Sequence, residues 1–112
     1  MSGISFIPAL GILIGLHALA DYPLQGDFLA KAKNHLNPIP GVPFYQALAA
    51  HGAIHGAAVG VFLQSPLLGA CEFVAHCAID YLKCANRISF NVDQALHVAC
   101  KVIWLAIAIG VA

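Results

Sequence analysis

Ionisable side chains recur at every fourth residue, four separate times, inside runs that are otherwise apolar: His17 and Asp21; His51 and His55; Glu72, His76 and Asp80; Asp93, His97 and Lys101. Positions i, i+4 and i+8 share one face of an α-helix. Each such group costs several kcal/mol to desolvate alone. Four polar stripes on four apolar helices are therefore tolerable only if they face one another. The pattern predicts an all-α bundle with a polar interior.

The surroundings of these stripes decide the solvent. Charged residues make up 9% of the 112 and apolar residues 61%, whereas a soluble domain carries about a quarter charged residues. So few charges cannot cover a soluble surface, and the expectation is one integral membrane domain spanning residues 1–112. Net charge is zero and no basic run occurs, which argues against nucleic acid as a partner. The four cysteines form no C-x-x-C pair and read as small apolar fillers, with a minor ligand role open for Cys84, four residues after Asp80. The first apolar run lacks a basic leader and a cleavage site, so it reads as a retained span rather than a signal peptide.

Taken in order, spans are expected over residues 4–20, 45–63, 66–84 and 92–112. Between the first two lies a long connection, 21–44, in which Pro23, Pro38, Pro40 and Pro43 preclude a continuous helix. A short interfacial helix fits 27–34, with Phe28 and Leu29 toward lipid and Lys31 and Lys33 toward headgroups. Gly11 and Gly15 form a G-x-x-x-G. Gly52, Gly56 and Gly60 make a longer small-residue stripe beside Ala49, Ala53 and Ala57. Such faces permit close helix approach, within one bundle or between copies in a homo-oligomer. Short turns make the second and third spans, and the third and fourth, antiparallel neighbours. Asp93 is placed to favour the N-terminus of the last helix.

Alternating spans bring every polar stripe to the membrane side that carries the long loop. At 1.5 Å per residue, His17, His97, His51 and His76 lie about 6 to 10 Å below that end, and His55, Glu72 and Lys101 deeper. The opposite half of each helix holds no ionisable group. Lys31, Lys33, Lys83 and Arg87 are all on the loop side, which the positive-inside rule makes cytoplasmic, with both termini outside.

Imidazole and carboxylate together are the ligand set for zinc and related divalent ions, and residues at i and i+4 can chelate one ion. His17, Asp21, His51, His55, His76, Asp80 and His97 are the expected metal ligands, for one or two ions, most readily Zn²⁺. Glu72 and Asp93 are then a general base or groups that orient the histidines. An open coordination position would activate water. Lys83 would stabilise a developing anion, and Gln25, Lys33 and Lys101 would hold substrate. The competing reading needs no metal: Lys101 pairs with Glu72, Lys83 with Asp80, and histidines bridge them in a buried network. His35, in the long loop, reads as solvated. Serine-nucleophile, Walker and dinucleotide motifs are absent, so any catalysis here is metal-centred.

The ordered set His17, Asp21, Tyr22, Leu24, Gln25, Lys33, His51, His55, His76, Ile79, Asp80, Lys83, Asp93, Gln94 and His97 resembles the domain-of-unknown-function 3307 family. These are small membrane proteins of bacteria and their phages, and the resemblance runs from about residue 10 to 105. More distantly, the paired-histidine helices resemble inner-membrane metal-dependent hydrolases and, through them, the helical zinc phospholipase C and nuclease fold. Two features depart from that soluble group: the chain is very short, and it has no N-terminal metal-binding tryptophan. The resemblance implies a protein of the bacterial inner membrane whose partners are the bilayer and a phosphoester or lipid-headgroup substrate, hydrolysed at the cytoplasmic face. The alternatives are an ion- or proton-handling subunit, or a structural membrane protein of a bacterium or phage. A through-path for ions would require polar groups in the outer half, and the sequence has none there.

Overall fold

The computed structural model describes residues 4–110. They form α1 (Phe6–Asp21), α2 (Gly26–Ala32), α3 (Phe44–Phe62), α4 (Pro66–Cys84) and α5 (Phe90–Gly110), with no strand among the described residues. The all-helical expectation holds, and the long connection does contain a short helix. The last two residues of the expected 92–112 helix lie outside the described residues.

The turns have local causes. Ser65 Oγ accepts from the Leu68 N–H at 3.1 Å and Pro66 opens α4, so the chain starts a new helix there. Just before it, Gln64 takes a left-handed φ of 54° that ends α3. Asn86, at φ 60°, does the same after α4, and Ser89 Oγ accepts from the Val92 N–H at 3.1 Å to start α5. His35 is not solvated as expected. Its ring stacks on Tyr81, with centroids 4.0 Å apart and planes within 6°, and lies 5.6 Å from Phe44. Stacking fastens the chain that follows α2 onto α4, because the face of the imidazole covers the Tyr81 ring.

The four long helices close into a ring in which α1 touches α3 and α5, and α4 touches the same two. The α3–α4 contact is the tightest. A Cβ on Gly56 would sit 2.8 Å from the Gly69 carbonyl oxygen, and one on Gly69 would sit 2.8 Å from that of Gly56. The glycine stripe of α3 is thus spent inside the bundle. Gly11 and Gly15 of α1 face open space instead.

Large polar side chains are buried and large apolar ones exposed. Lys101, His51, His55, His76, His97 and Glu72 are among the largest fully buried side chains, beside Leu13 and Leu105. Meanwhile Ile7 (74%), Val61 (78%), Leu67 (73%) and Val74 (66%) are exposed. The charged residues exposed among those described are Asp27, Lys31 and Arg87, all in α2 or the α4–α5 turn. By length and composition, α5 alone is long and apolar enough to cross a bilayer, and α1 with α2 qualifies as a second only as a pair bent by 83°. In α3 and α4 the buried histidines and acids lower the average hydropathy, although the faces they leave outside are apolar.

Candidate metal centre

Helix periodicity places one or two imidazoles per helix on the inward face: His17 on α1, His51 and His55 on α3, His76 on α4 and His97 on α5. All five are buried. Their Nε2 atoms meet the carboxylates that end or begin the same helices. Asp21, the last residue of α1, receives His51 Nε2 at 3.1 Å and His55 Nε2 at 3.0 Å on Oδ1, and has His17 Nε2 3.3 Å from Oδ2. Asp80 Oδ2 lies 3.3 Å from His76 Nε2 and 3.4 Å from His51 Nε2, while its Oδ1 lies 3.2 Å from His97 Nε2. Asp93 Oδ1 is 3.3 Å from His97 Nε2. Seven expected ligands therefore converge, with Asp93 as an eighth.

Three overlapping sets have one ligand atom each within 4.8 Å of one another: Asp21, His51, His55 and His76; His17, His76 and His97; and Asp80, Asp93 and His97. The first matches the number and type of donors that a tetrahedral divalent ion takes. Several buried atoms here lack a hydrogen-bond partner, among them His76 Nε2 and Asp93 Oδ1. Buried polar atoms are nearly always satisfied, so orphaned ones that point into a ring of donors fit a site built for a cation.

One layer deeper, His76 Nδ1 donates to Glu72 Oε2 at 3.1 Å. Lys101 Nζ donates to the same oxygen at 2.9 Å, and the Trp104 indole N–H to Oε1 at 3.0 Å. Glu72 can only accept, so the His76 proton sits on Nδ1 and the Nε2 lone pair faces the cluster. A carboxylate behind a histidine sets its tautomer and ring orientation in metal sites generally. Glu72 thus lies behind His76, away from the cavity. Lys101 is buried against Glu72, away from any place where it could touch substrate.

Above the cluster a cavity of about 320 Å³ opens at the α2 end. Asp21, Asp80 and Asp93 reach it, and Gln25, Gln94, Lys33 and Lys83 stand in its wall. The lysine on Asp80 is Lys33, at 2.8 Å, not the expected Lys83. Gln25 Nε2 is bonded to the Asp21 carbonyl at 2.9 Å, capping α1. Cys84 also lines the cavity and is a free thiol.

Sequence reasoning left two site residues unassigned. Gln94 contacts His17 Nε2 at 3.2 Å and donates to Asp93 at 3.0 Å and Asp21 at 3.4 Å, tying α5 to α1. Its position, three before His97 on the same face, was the available signal. Trp104 lies three after Lys101 on the same α5 face as Glu72's lysine, but a tryptophan in an apolar run reads as a filler.

A family model described as a protein of unknown function (DUF3307) matches residues 9–111, and the chain belongs to that family. No curated protein and no solved structure matches it.

Proposed function

We propose that this chain is an integral membrane protein that binds a divalent cation, zinc before others, and uses it to hydrolyse a phosphoester or lipid headgroup at the cytoplasmic face. All four long helices are spans in this reading. What supports it is the apolar outer surface of α1, α4 and α5 and the confinement of exposed charge to one end. With Lys31, Lys33, Lys83 and Arg87 there, that end is the cytoplasmic one.

The observation that carries the chemistry is the meeting of five imidazole Nε2 atoms and three carboxylates beneath an open cavity. Asp21, His51, His55 and His76 would hold the divalent ion, which would supply Lewis acidity toward a water and a phosphoryl oxygen. The chain's own groups do the rest. Lys83 in the cavity wall offsets the charge of the phosphate. Asp93, at the cavity floor, accepts the proton of the attacking water. Glu72, held by Lys101 and Trp104, keeps His76 pointing inward. Gln25 and Lys33 border the space a headgroup would fill.

Metal content of the detergent-purified protein is the first test, beside a His51→Ala/His55→Ala variant that retains its helical circular dichroism. Stoichiometric zinc or a related ion in the wild type, absent from the variant, supports the reading, and phosphate release from phosphoester substrates is measured next. Protein that stays metal-free after equilibration with Zn²⁺, Mn²⁺, Co²⁺ and Mg²⁺ removes it. A second reading then takes over, favoured by the Lys33–Asp80 contact at 2.8 Å and the Lys101–Glu72 contact at 2.9 Å: a buried ion-pair network that fixes helix register or relays protons.

A further inference from the structure

We infer that Lys33 stands where a second cation would bind, so that the centre keeps one resident divalent ion and admits another only when Lys33 leaves Asp80. The inference rests on the metal-binding reading above.

The cluster has two unequal lobes. Asp21, His51, His55 and His76 form one. Asp80, Asp93 and His97 form the other, and they share His76 and His97 with the set around His17. No lysine contacts Asp21. Asp80 carries Lys33 Nζ at 2.8 Å on Oδ2, the oxygen that also faces His51 and His76. Beside it, Asp93 Oδ1 is buried and makes no hydrogen bond, with His97 Nε2 3.3 Å away. The second lobe is thus complete in donors but already holds a positive charge.

Charge decides how many ions fit. Lys101 cancels Glu72 one layer down. Of Asp21, Asp80 and Asp93, Asp80 is paired with Lys33, while Lys83 stands in the cavity wall without an ion-pair contact to them; with neutral histidines, three carboxylates against that one paired ammonium leave two negative charges. One divalent cation neutralises that. A second would leave two uncompensated positive charges, in an interior where like charges a few ångströms apart repel far more strongly than in water. Lys33 is the group able to yield. It sits at the C-terminal end of the seven-residue α2 and lines the cavity, and although its side chain is only 13% exposed, its flexible stem can swing toward the mouth without moving a long helix.

The test titrates full-length protein in detergent with Zn²⁺ alone and measures bound zinc by mass spectrometry after gel filtration. Wild type should take up one ion, with a second at least about tenfold weaker. Lys33→Met should take up two, with that gap lost, and Lys33→Met/Asp93→Asn should return to one. Asp93→Asn by itself should keep the first ion. Two ions of equal affinity in the wild type overturn the inference. So does a folded Lys33→Met that stops at one, or loss of the first ion in Asp93→Asn. Should Lys33→Met not fold, Lys33→Gln carries the same expectation, and the wild-type and Asp93→Asn titrations still decide. A wild type that binds no zinc fails differently: it overturns the metal reading itself and this inference with it.

Discussion

At the end where α3 turns into α4, Leu13, Val59, Leu63, Leu68 and Leu105 meet side chain to side chain and Gly56 lies on Gly69. At the α2 end the same four helices bring in five histidines and three aspartates, and Lys33 reaches them from the end of α2. The two ends are held by different forces. If the bundle sits in lipid, as proposed, burying a leucine gains only packing, because the acyl chains are as apolar as the core. The smooth end therefore depends on fit, which the glycines provide. The polar end depends on partnership, since each unpaired charge in that interior is heavily penalised. The two ends therefore answer to different changes, volume at one and charge at the other, and the Glu72 layer lies where they join.

Breaking a charge partnership should have the largest effect. Glu72→Leu leaves Lys101 buried and unpaired, and should destabilise the protein by about 3–5 kcal/mol, read as a lower thermal midpoint in detergent. Glu72→Leu/Lys101→Met removes both charges and should recover most of that loss. If the double variant is no more stable than the single, Lys101 is serving something other than Glu72, and the two ends are less separable than their packing indicates.

The smooth end should respond to volume instead. In Gly69→Ala the new Cβ meets the Gly56 carbonyl oxygen at 2.8 Å and the Gly60 Cα at 3.0 Å, backbone on both counts, so α3 and α4 must separate. Overpacking of this kind costs about 1–3 kcal/mol. Metal content per folded chain should not change. If zinc were lost in Gly69→Ala, the helix spacing set at the smooth end would be reaching the ligands at the other.

How far the sequence reveals this division depends on the range of the contact. The i, i+4 pairs are visible because a helix turns at a known rate, so His51 with His55 and Glu72 with His76 need no knowledge of the fold. Alternation of spans was enough to gather these stripes at one end, and Lys101 on Glu72 follows from their common depth. Lys33 on Asp80 does not follow. Lys83 is three residues from Asp80 and looks the natural partner, whereas Lys33 is 47 residues away and reaches Asp80 only because α2 bends 83° from α1 and His35 stacks on Tyr81. Likewise the glycine stripe of α3 announces a close neighbour without saying that the neighbour is Gly69 or that it lies in the same bundle. Local periodicity determines which face a residue takes; loop geometry determines which residue it meets.

The smallest effect is expected on the outer surface of the ring. A Cβ on Gly15 of α1 meets nothing within 4 Å, so Gly15→Ala should shift stability by no more than about 0.5 kcal/mol from contacts, and the higher helix propensity of alanine acts in its favour. Neither the thermal midpoint nor the elution volume in detergent should fall. Gly69→Ala and Gly15→Ala make the same chemical change on the two sides of the ring wall, so the difference between them isolates what the glycine contact contributes. A fall in either readout for Gly15→Ala would mean that α1's outward G-x-x-x-G face is pressed against a second copy. The ring would then be packed from both sides of α1, and the number of chains, not only the fit of four helices, would set the spacing on which the polar cluster depends.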